Sequence, residues 1–391
     1  MKTRRPRPPA RGHRDSARLI WLARGYADSG SRAEDAFWLQ TLSQTLDRML
    51  DAGEDEPLNE ALDRLAELDE RAYSDLADLA EANAESLAWV APDENPSQAL
   101  LIAIPLLLWS RYGVPSRALN AATLAALKAQ LGAHVLAADT RLVLADHLFS
   151  PDQLPQGFAA TRRLTTQLAQ ALRAGEDWHV DARTLPETGH YLSDARYLLG
   201  LLAAPQGQPL FRWNEADGDR ATALQLWRDQ GLPNLQALLP GCNIECTLPN
   251  AYFAAWREAE RAGRAHALRA AVGYLQAVLS CSPSQISAIV AGYYEQALVE
   301  WRIGFQVKSG DTVVHGVVWP LLDPDDEQRD FAEEIRAILR ELGLVDVRVL
   351  DARLPLEYCE DCGQPLYPDP NGDSVHAEMP EEAGVPPIHL H

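Results

Sequence analysis

The sequence predicts a mixed α/β (α+β) protein: a helical N-terminal part, three related helix-strand-strand-helix-strand units, and a C-terminal cysteine-containing tail. Three observations predict it. Residues 16–95 carry apolar side chains at helical spacing on an otherwise acidic background. From residue 96 onward, short β-branched runs alternate with amphipathic stripes. The clearest alternation, Thr312 to Arg353, has looser counterparts starting near Ser97 and Asp194.

In chain order, residues 1–15 are basic and proline-rich, and they are expected to be a disordered tail. Within the acidic helical region 16–95, Ser31 and Glu34 form a capping box. Leu39, Leu42, Leu46, Met49 and Leu50 then make a stripe that Gly53 ends. After Pro57 a second stripe runs through Leu58, Leu62, Leu65, Leu68, Leu76 and Leu79. The acids opposite it read first as a solvated helix face and second as a docking site for a basic partner.

The first α/β unit, 96–155, opens on a buried strand, Ala99 to Ile104, stopped by Pro105. Ser116 is placed to cap a helix carrying Leu124, Leu127 and Leu131, Gly132 to close it, and His134 to Val143 to return as a strand. The second unit, 156–280, has long helices at Phe158–Ala174 and Tyr252–Leu279. Between them lie a strand at Tyr197–Leu202, a helix begun by Asp219 and closed by Gly231, and a returning strand, Leu235 to Glu245. In the third unit, 281–356, Ser282 and Pro283 predict a helix running to Tyr294. Glu300 to Val307 then pairs with Val313 to Trp319 across a turn at residues 308–311. Asp323, with Pro324 after it, is placed to cap a helix carrying Phe331, Ile335, Ile338, Leu339 and Leu342, before a last strand at Val345, Val347 and Val349. The endings VLAADTR (135–141) and VRVLDAR (347–353) put Asp139/Arg141 and Asp351/Arg353 at equal offsets. At roughly 100 residues the spacing is too long for a solenoid, so the units are read as duplicated subdomains.

Composition narrows the function classes. With 47% hydrophobic residues among 391, the chain can bury a sizeable core. Its formal charge of −21 includes a basic start, so the body is more acidic still and is expected to repel nucleic acid and anionic lipid. No apolar run reaches the ~20 residues of a membrane helix. Five cysteines fit reduced thiols or metal ligands better than a secreted disulfide framework, and the expected location is cytoplasmic.

The tail, 357–391, holds the sharpest chemical signal, Tyr358-Cys359-Glu360-Asp361-Cys362-Gly363. Two cysteines separated by two residues and followed by glycine form a tight turn whose amides face the sulfurs, and such a turn gives zinc two ligands. No second pair follows. The candidates to complete a site are His376, His389 and His391, with Cys242 and Cys246 as an alternative second pair. Acidic Glu360 and Asp361 oppose thiolate formation, which disfavours a thioredoxin-like reductant. His376 and Glu378 beside the cysteines are similar to the residue set of a zinc deaminase in reversed order, with Glu378 as base. Phosphate-binding loops, His-Glu-x-x-His and Gly-x-Ser-x-Gly are absent. His315, inside an apolar run, is read as a core histidine.

The run His315-Gly316-Val317-Val318-Trp319-Pro320-Leu321, the segment Cys359 to Pro368, and Val375-His376-Ala377-Glu378 together resemble a proteobacterial family of about this chain's length, filed as a domain of unknown function. The resemblance implies a bacterial protein and carries no activity. The expected function is therefore a non-catalytic binding or scaffold protein with a structural zinc knuckle and a protein or small-molecule partner. The alternatives are a metal-dependent hydrolase or deaminase at Cys359, Cys362, His376 and Glu378, and a small-ligand sensor between the units.

Overall fold

The computed structural model describes residues 11–89, 96–188, 192–307, 310, 312–323, 326 and 328–379. It has a helical N-terminal region followed by a strand-rich one. The first region is four helices, α1 (Arg11–Ala27), α2 (Arg32–Ala52), α3 (Glu56–Leu68) and α4 (Glu70–Glu85), closed around Leu19, Leu22, Leu42, Leu46, Leu58, Leu65 and Leu76. As expected, Ser31 caps α2 by accepting from the Glu34 amide, and Gly53 ends it at φ 76°. The second stripe divides in two because the Asp69 side chain accepts from the Ala72 amide and starts a new helix. Helix α1 starts at Arg11, so residues 11–15 are helical rather than part of a disordered tail; residues 1–10 lie outside the described set.

The strand-rich region holds two main sheets. The first contains β1 (Ser86–Trp89), β2 (Ser97–Trp109), β3 (Arg117–Ala118), β4 (Arg141–Phe149), β5 (Ser193–Pro205), β6 (Asn243–Cys246) and β7 (Asn250–Ala251). Its order is β1-β2-β5-β4-β3, and β6 and β7 also pair with β2. Every pairing is antiparallel. Strand β2 runs straight through Pro105, contrary to expectation. Proline has no amide to donate, and β2's pairings with β7 (Ile102, Ala103) and β6 (Leu106 to Trp109) leave a gap at that point. The Pro105 carbonyl is satisfied there by the Thr247 amide at 3.2 Å.

Both faces of this sheet are covered. Ile102, Ile104, Leu106 and Leu108 face a core shared with α5 (Ala121–His134) and with α7 (Arg220–Leu226) and α8 (Leu232–Gln236), which a π-helical turn at Trp227–Gly231 joins. Leu101, Ala103 and Leu107 face the other way, onto α6 (Phe158–Ala174) and the first half of α9 (Tyr252–Leu279). Burial on both faces is why β2 and β5 read as unbroken apolar runs.

The second sheet has order β10-β9-β8-β11, from β8 (Ile286–Tyr294), β9 (Leu298–Val307), β10 (His315–Pro320) and, after α10 (Phe331–Glu341), β11 (Asp346–Pro355). Only β8 and β11 pair in parallel among its described strands. The second half of α9, through Leu268, Ala271 and Leu275, packs on Ile286, Val290, Ile303 and Trp319. One long helix thus serves both cores. A short hairpin, β12 (Tyr367–Pro368) with β13 (Ser374–Val375), completes the fold. Among the described residues, no helix is long and apolar enough to cross a membrane.

Several expected elements differ. Ile286 to Tyr294 is a strand: the Ser282-Pro283 start is spent on one 3-10 turn, and the β-branched run after it pairs on both edges. Asp330 caps α10, while Asp323 forms a two-pronged ion pair with Arg261; Pro324, Asp325 and Glu327 lie outside the described residues. Asn120 caps α5, which continues through Gly132, and Ser116 instead bonds the Leu148 carbonyl and Gln153. Gly231 does not close a helix; it sits where the Trp227 ring leaves no room for a Cβ. Residues 235–242 are helix and turn, so the returning strand is only Asn243–Cys246. VLAADTR forms a bridge and turn that enter β4 only at Arg141, whereas VRVLDAR lies within β11, so the matched endings are not equivalent. The strands of the first two units share one sheet, and those of the third build the other.

Candidate metal centre

Beyond β11 the chain makes a narrow loop. Tyr358 and Pro365 form an isolated antiparallel bridge. The Cys359 amide donates to the Gln364 carbonyl at 2.7 Å and the Gly363 amide to the Cys359 carbonyl at 2.8 Å. Gly363 takes φ 73°, a left-handed conformation costly for other residues, and so lets the turn close. The result points the amides of Cys362 and Asp361 at the Cys359 sulfur, and these hydrogen bonds, led by that of Cys362, hold its thiol below the ordinary range. The nearby Asp361 carboxylate acts in the opposite direction and is outweighed by these bonds.

His376 comes from the hairpin. The Asp369 carboxylate accepts from the amides of Asn371 at 2.8 Å and Asp373 at 2.9 Å, which fixes the turn between β12 and β13. His376 follows directly, with its Nε2 3.3 Å from the Cys362 sulfur. The donor atoms of Cys359, Cys362 and His376 all lie within 4.8 Å of one another, a group that could hold a metal ion.

What presses this loop and hairpin onto the second sheet is a buried arginine that sequence reasoning alone does not single out. Arg302 on β9 is 0% exposed. Its Nε donates to Glu300 at 2.6 Å, and its Nη1 donates to the carbonyls of Glu357 at 2.6 Å and Leu366 at 2.8 Å, the two sides of the loop's neck. Its guanidinium lies between the rings of Tyr293 and Tyr358, at 4.3 and 5.0 Å. Beside it the Tyr367 ring lies on Gly316 and the Pro368 carbonyl on Gly304, where neither glycine has room for a Cβ. The only sequence signal is an acid-x-Arg triplet inside an apolar strand, a place where an unpaired arginine would be costly.

Other candidate residues fall elsewhere. His389 and His391 lie outside the described residues. Cys242 and Cys246 are buried in the first sheet's core, where burial pushes both thiols up, and they do not join the group. Glu378 is exposed, its amide bonds the Val313 carbonyl, and its carboxylate is not among the gathered atoms. His315 is a core residue as expected, stacked 6.3 Å from Phe305 and pushed down to about 4 by burial.

A family described as a protein of unknown function (DUF2863) matches residues 4–390. No curated protein and no solved structure matches the chain.

Proposed function

Since this chain belongs to the DUF2863 family, whose description names no activity, we propose from its geometry that it is a non-catalytic binding or scaffold protein whose C-terminal segment is clasped by a zinc ion on Cys359, Cys362 and His376. The observation that carries this reading is the convergence of two sulfurs and an imidazole nitrogen within 4.8 Å on a turn whose amides already favour thiolate. Two soft sulfurs with one imidazole suit zinc better than calcium or magnesium, which prefer oxygen. His389 and His391 are the candidates for a fourth ligand. A structural role is supported by the way Arg302 ties the neck of the loop to the sheet and by the solvent-facing position of Glu378. The partner is expected to be a protein or small molecule, because a charge of −21 opposes phosphate backbones.

The test is elemental analysis of purified protein combined with melting before and after chelation. About one equivalent of zinc is expected, lost in Cys362→Ser, with lower melting and faster proteolysis of the tail after chelation. Under about a tenth of an equivalent, with melting indifferent to chelator, would refute the clasp.

A further inference from the structure

Away from both sheets, the helical region carries a surface in which the cysteine loop has no part. Trp21 on α1 and Phe37 on α2 are 60% and 56% exposed, unusual for rings of that size. Neither ring is loose. The half-buried Trp38 ring meets both edge to face, its centroid 5.1 Å from that of Trp21 and 5.0 Å from that of Phe37. Gly25 makes room for it, because a Cβ there would lie 2.7 Å from the Trp38 ring. The result is a preformed aromatic ridge across the seam between α1 and α2.

Charge follows the same two helices. Arg14, Arg18 and Trp21 stand at i, i+4 and i+7 on α1, and Phe37, Gln44 and Arg48 at i, i+7 and i+11 on α2, so each set shares one helix face. All six side chains are exposed. Acids outnumber basic residues 56 to 35 in this chain, yet Arg14, Arg18 and Arg48 form no ion pair among the described residues; Arg24, further along α1, pairs with Asp69 at 3.4 Å. Arg48 donates only to the Gln44 carbonyl, at 3.3 Å. Acids return at both ends, with Asp28 and Glu34 beside the turn and Asp51 beyond Arg48. The basic, aromatic strip between them spans Phe37 to Arg48, about 16 Å or three helical turns.

We propose that this strip docks an acidic amphipathic helix of a partner protein, whose apolar side chains cover Trp21 and Phe37 and whose carboxylates pair with Arg14, Arg18 and Arg48. Recognition of a helix on a two-helix seam uses this combination, apolar anchors flanked by complementary charge. A nucleic-acid strand or an anionic membrane fits worse, since either would extend past three turns onto a body whose chain carries −21 overall. Two copies meeting through the strip about a two-fold axis would set one basic surface against another. The proposal rests on the reading of the chain as a binding protein and not on the metal clasp, so zinc content decides the one and peptide selection the other.

The test is selection of displayed random peptides of about 16 residues on the intact protein. The double variant Arg14→Glu/Arg18→Glu serves as counter-target, and fluorescence anisotropy measures the enriched peptides. These should be acidic, carry leucine or phenylalanine at helical spacing, and bind at least about tenfold more weakly to Trp21→Ser and to the charge-reversed variant. Replacing their glutamates with lysine should restore binding to the charge-reversed variant, which misfolding of that variant could not produce. The proposal is overturned if no peptide is enriched over the counter-target or if the enriched peptides are basic or uncharged. It is overturned equally if oligothymidylate, phosphatidylserine vesicles or a second copy of the chain, read by sedimentation, binds in a way that Trp21→Ser abolishes.

Discussion

Replacing Arg302 with methionine tests how the fold and the cysteine loop depend on each other. Methionine fills much of the same space but removes the guanidinium, so Glu300, 9% exposed, loses its partner and the Glu357 and Leu366 carbonyls lose their shared donor. Breaking one side of a buried ion pair typically costs about 3–5 kcal/mol, and the two stranded carbonyls add to that, so we expect a loss of at least about 3–5 kcal/mol. Glu300→Gln combined with Arg302→Met should recover part of this, because no charge is stranded, yet remain about 1–3 kcal/mol below the unaltered protein for the orphaned carbonyls. Arg196 on β5 is the control. It is also fully buried, donates to the Val114 and Pro115 carbonyls at 2.6 and 3.1 Å, and pairs with Asp194 two residues before it. Arg196→Met should destabilise by a similar amount without changing metal affinity, whereas Arg302→Met should weaken both. Urea unfolding and competition with a chromogenic chelator measure the two quantities. A stability change under about 0.5 kcal/mol for Arg302→Met, or equal metal affinity in the two arginine variants, would refute the coupling.

Two further outcomes follow from single side chains. Glu85 at the end of α4 accepts from the Phe253 amide at 3.0 Å, so it caps α9, and burial pushes its carboxyl up to about 7. Because the folded value lies above the ordinary 4.5, its contribution is full below that pH and is lost as pH rises through about 7. Glu85→Gln, which keeps an acceptor without the charge, should therefore gain up to about 3 kcal/mol at pH 8 and nothing at pH 4, measured by denaturant midpoints. Gly316→Ala should force the Tyr367 ring off β10, costing about 1–3 kcal/mol and accelerating tryptic cleavage at Arg353, with α9 untouched.

The parts of the fold that were legible share a property: their local signals and their tertiary surroundings agree. Helix α6 (Phe158–Ala174) and helix α9 (Tyr252–Leu279) have the expected boundaries, and Ser31 and Gly53 bracket α2 as their capping chemistry predicts. Where the two disagree, the sequence misleads. Ser282-Pro283 is a good helix start, but Ile286 to Tyr294 gains more by pairing with β9 on one edge and β11 on the other, so propensity yields to the sheet. Pro105 looks like a strand end because nothing local reveals that β6 and β7 leave one edge of β2 without a strand partner at that residue, while β5 pairs on the other. At the site, Cys359 and Cys362 were legible because a Cys-x-x-Cys-Gly turn is a short-range object, and His376 because only fourteen residues separate it from Cys362. Arg302 was not. Its part depends on which carbonyls of the loop's neck reach β9, and that is settled only by the tertiary packing.

The most instructive misreading concerns repetition. Asp139/Arg141 and Asp351/Arg353 look alike in sequence, but the first pair runs from a turn into the start of β4 and the second lies within β11, with Arg353 over the Tyr294 ring. A recurrence with physical content lies elsewhere, in Asp194-x-Arg196 on β5 and Glu300-x-Arg302 on β9. In each, an acid two residues earlier lies on the same face of the strand and neutralises the guanidinium. That offsets the cost of burying an arginine, which also gathers carbonyls from a loop crossing the sheet, Arg302 doing so through Nη1 while its Nη2 has no partner among the described residues. Such a device fixes irregular chain to a sheet without a large apolar surface. In the first sheet the loop held is Val114 to Pro115; in the second it is the neck of the cysteine turn. The placement of Cys359 and Cys362 beside His376 therefore follows from a charge buried in β9 as much as from the residues of the turn.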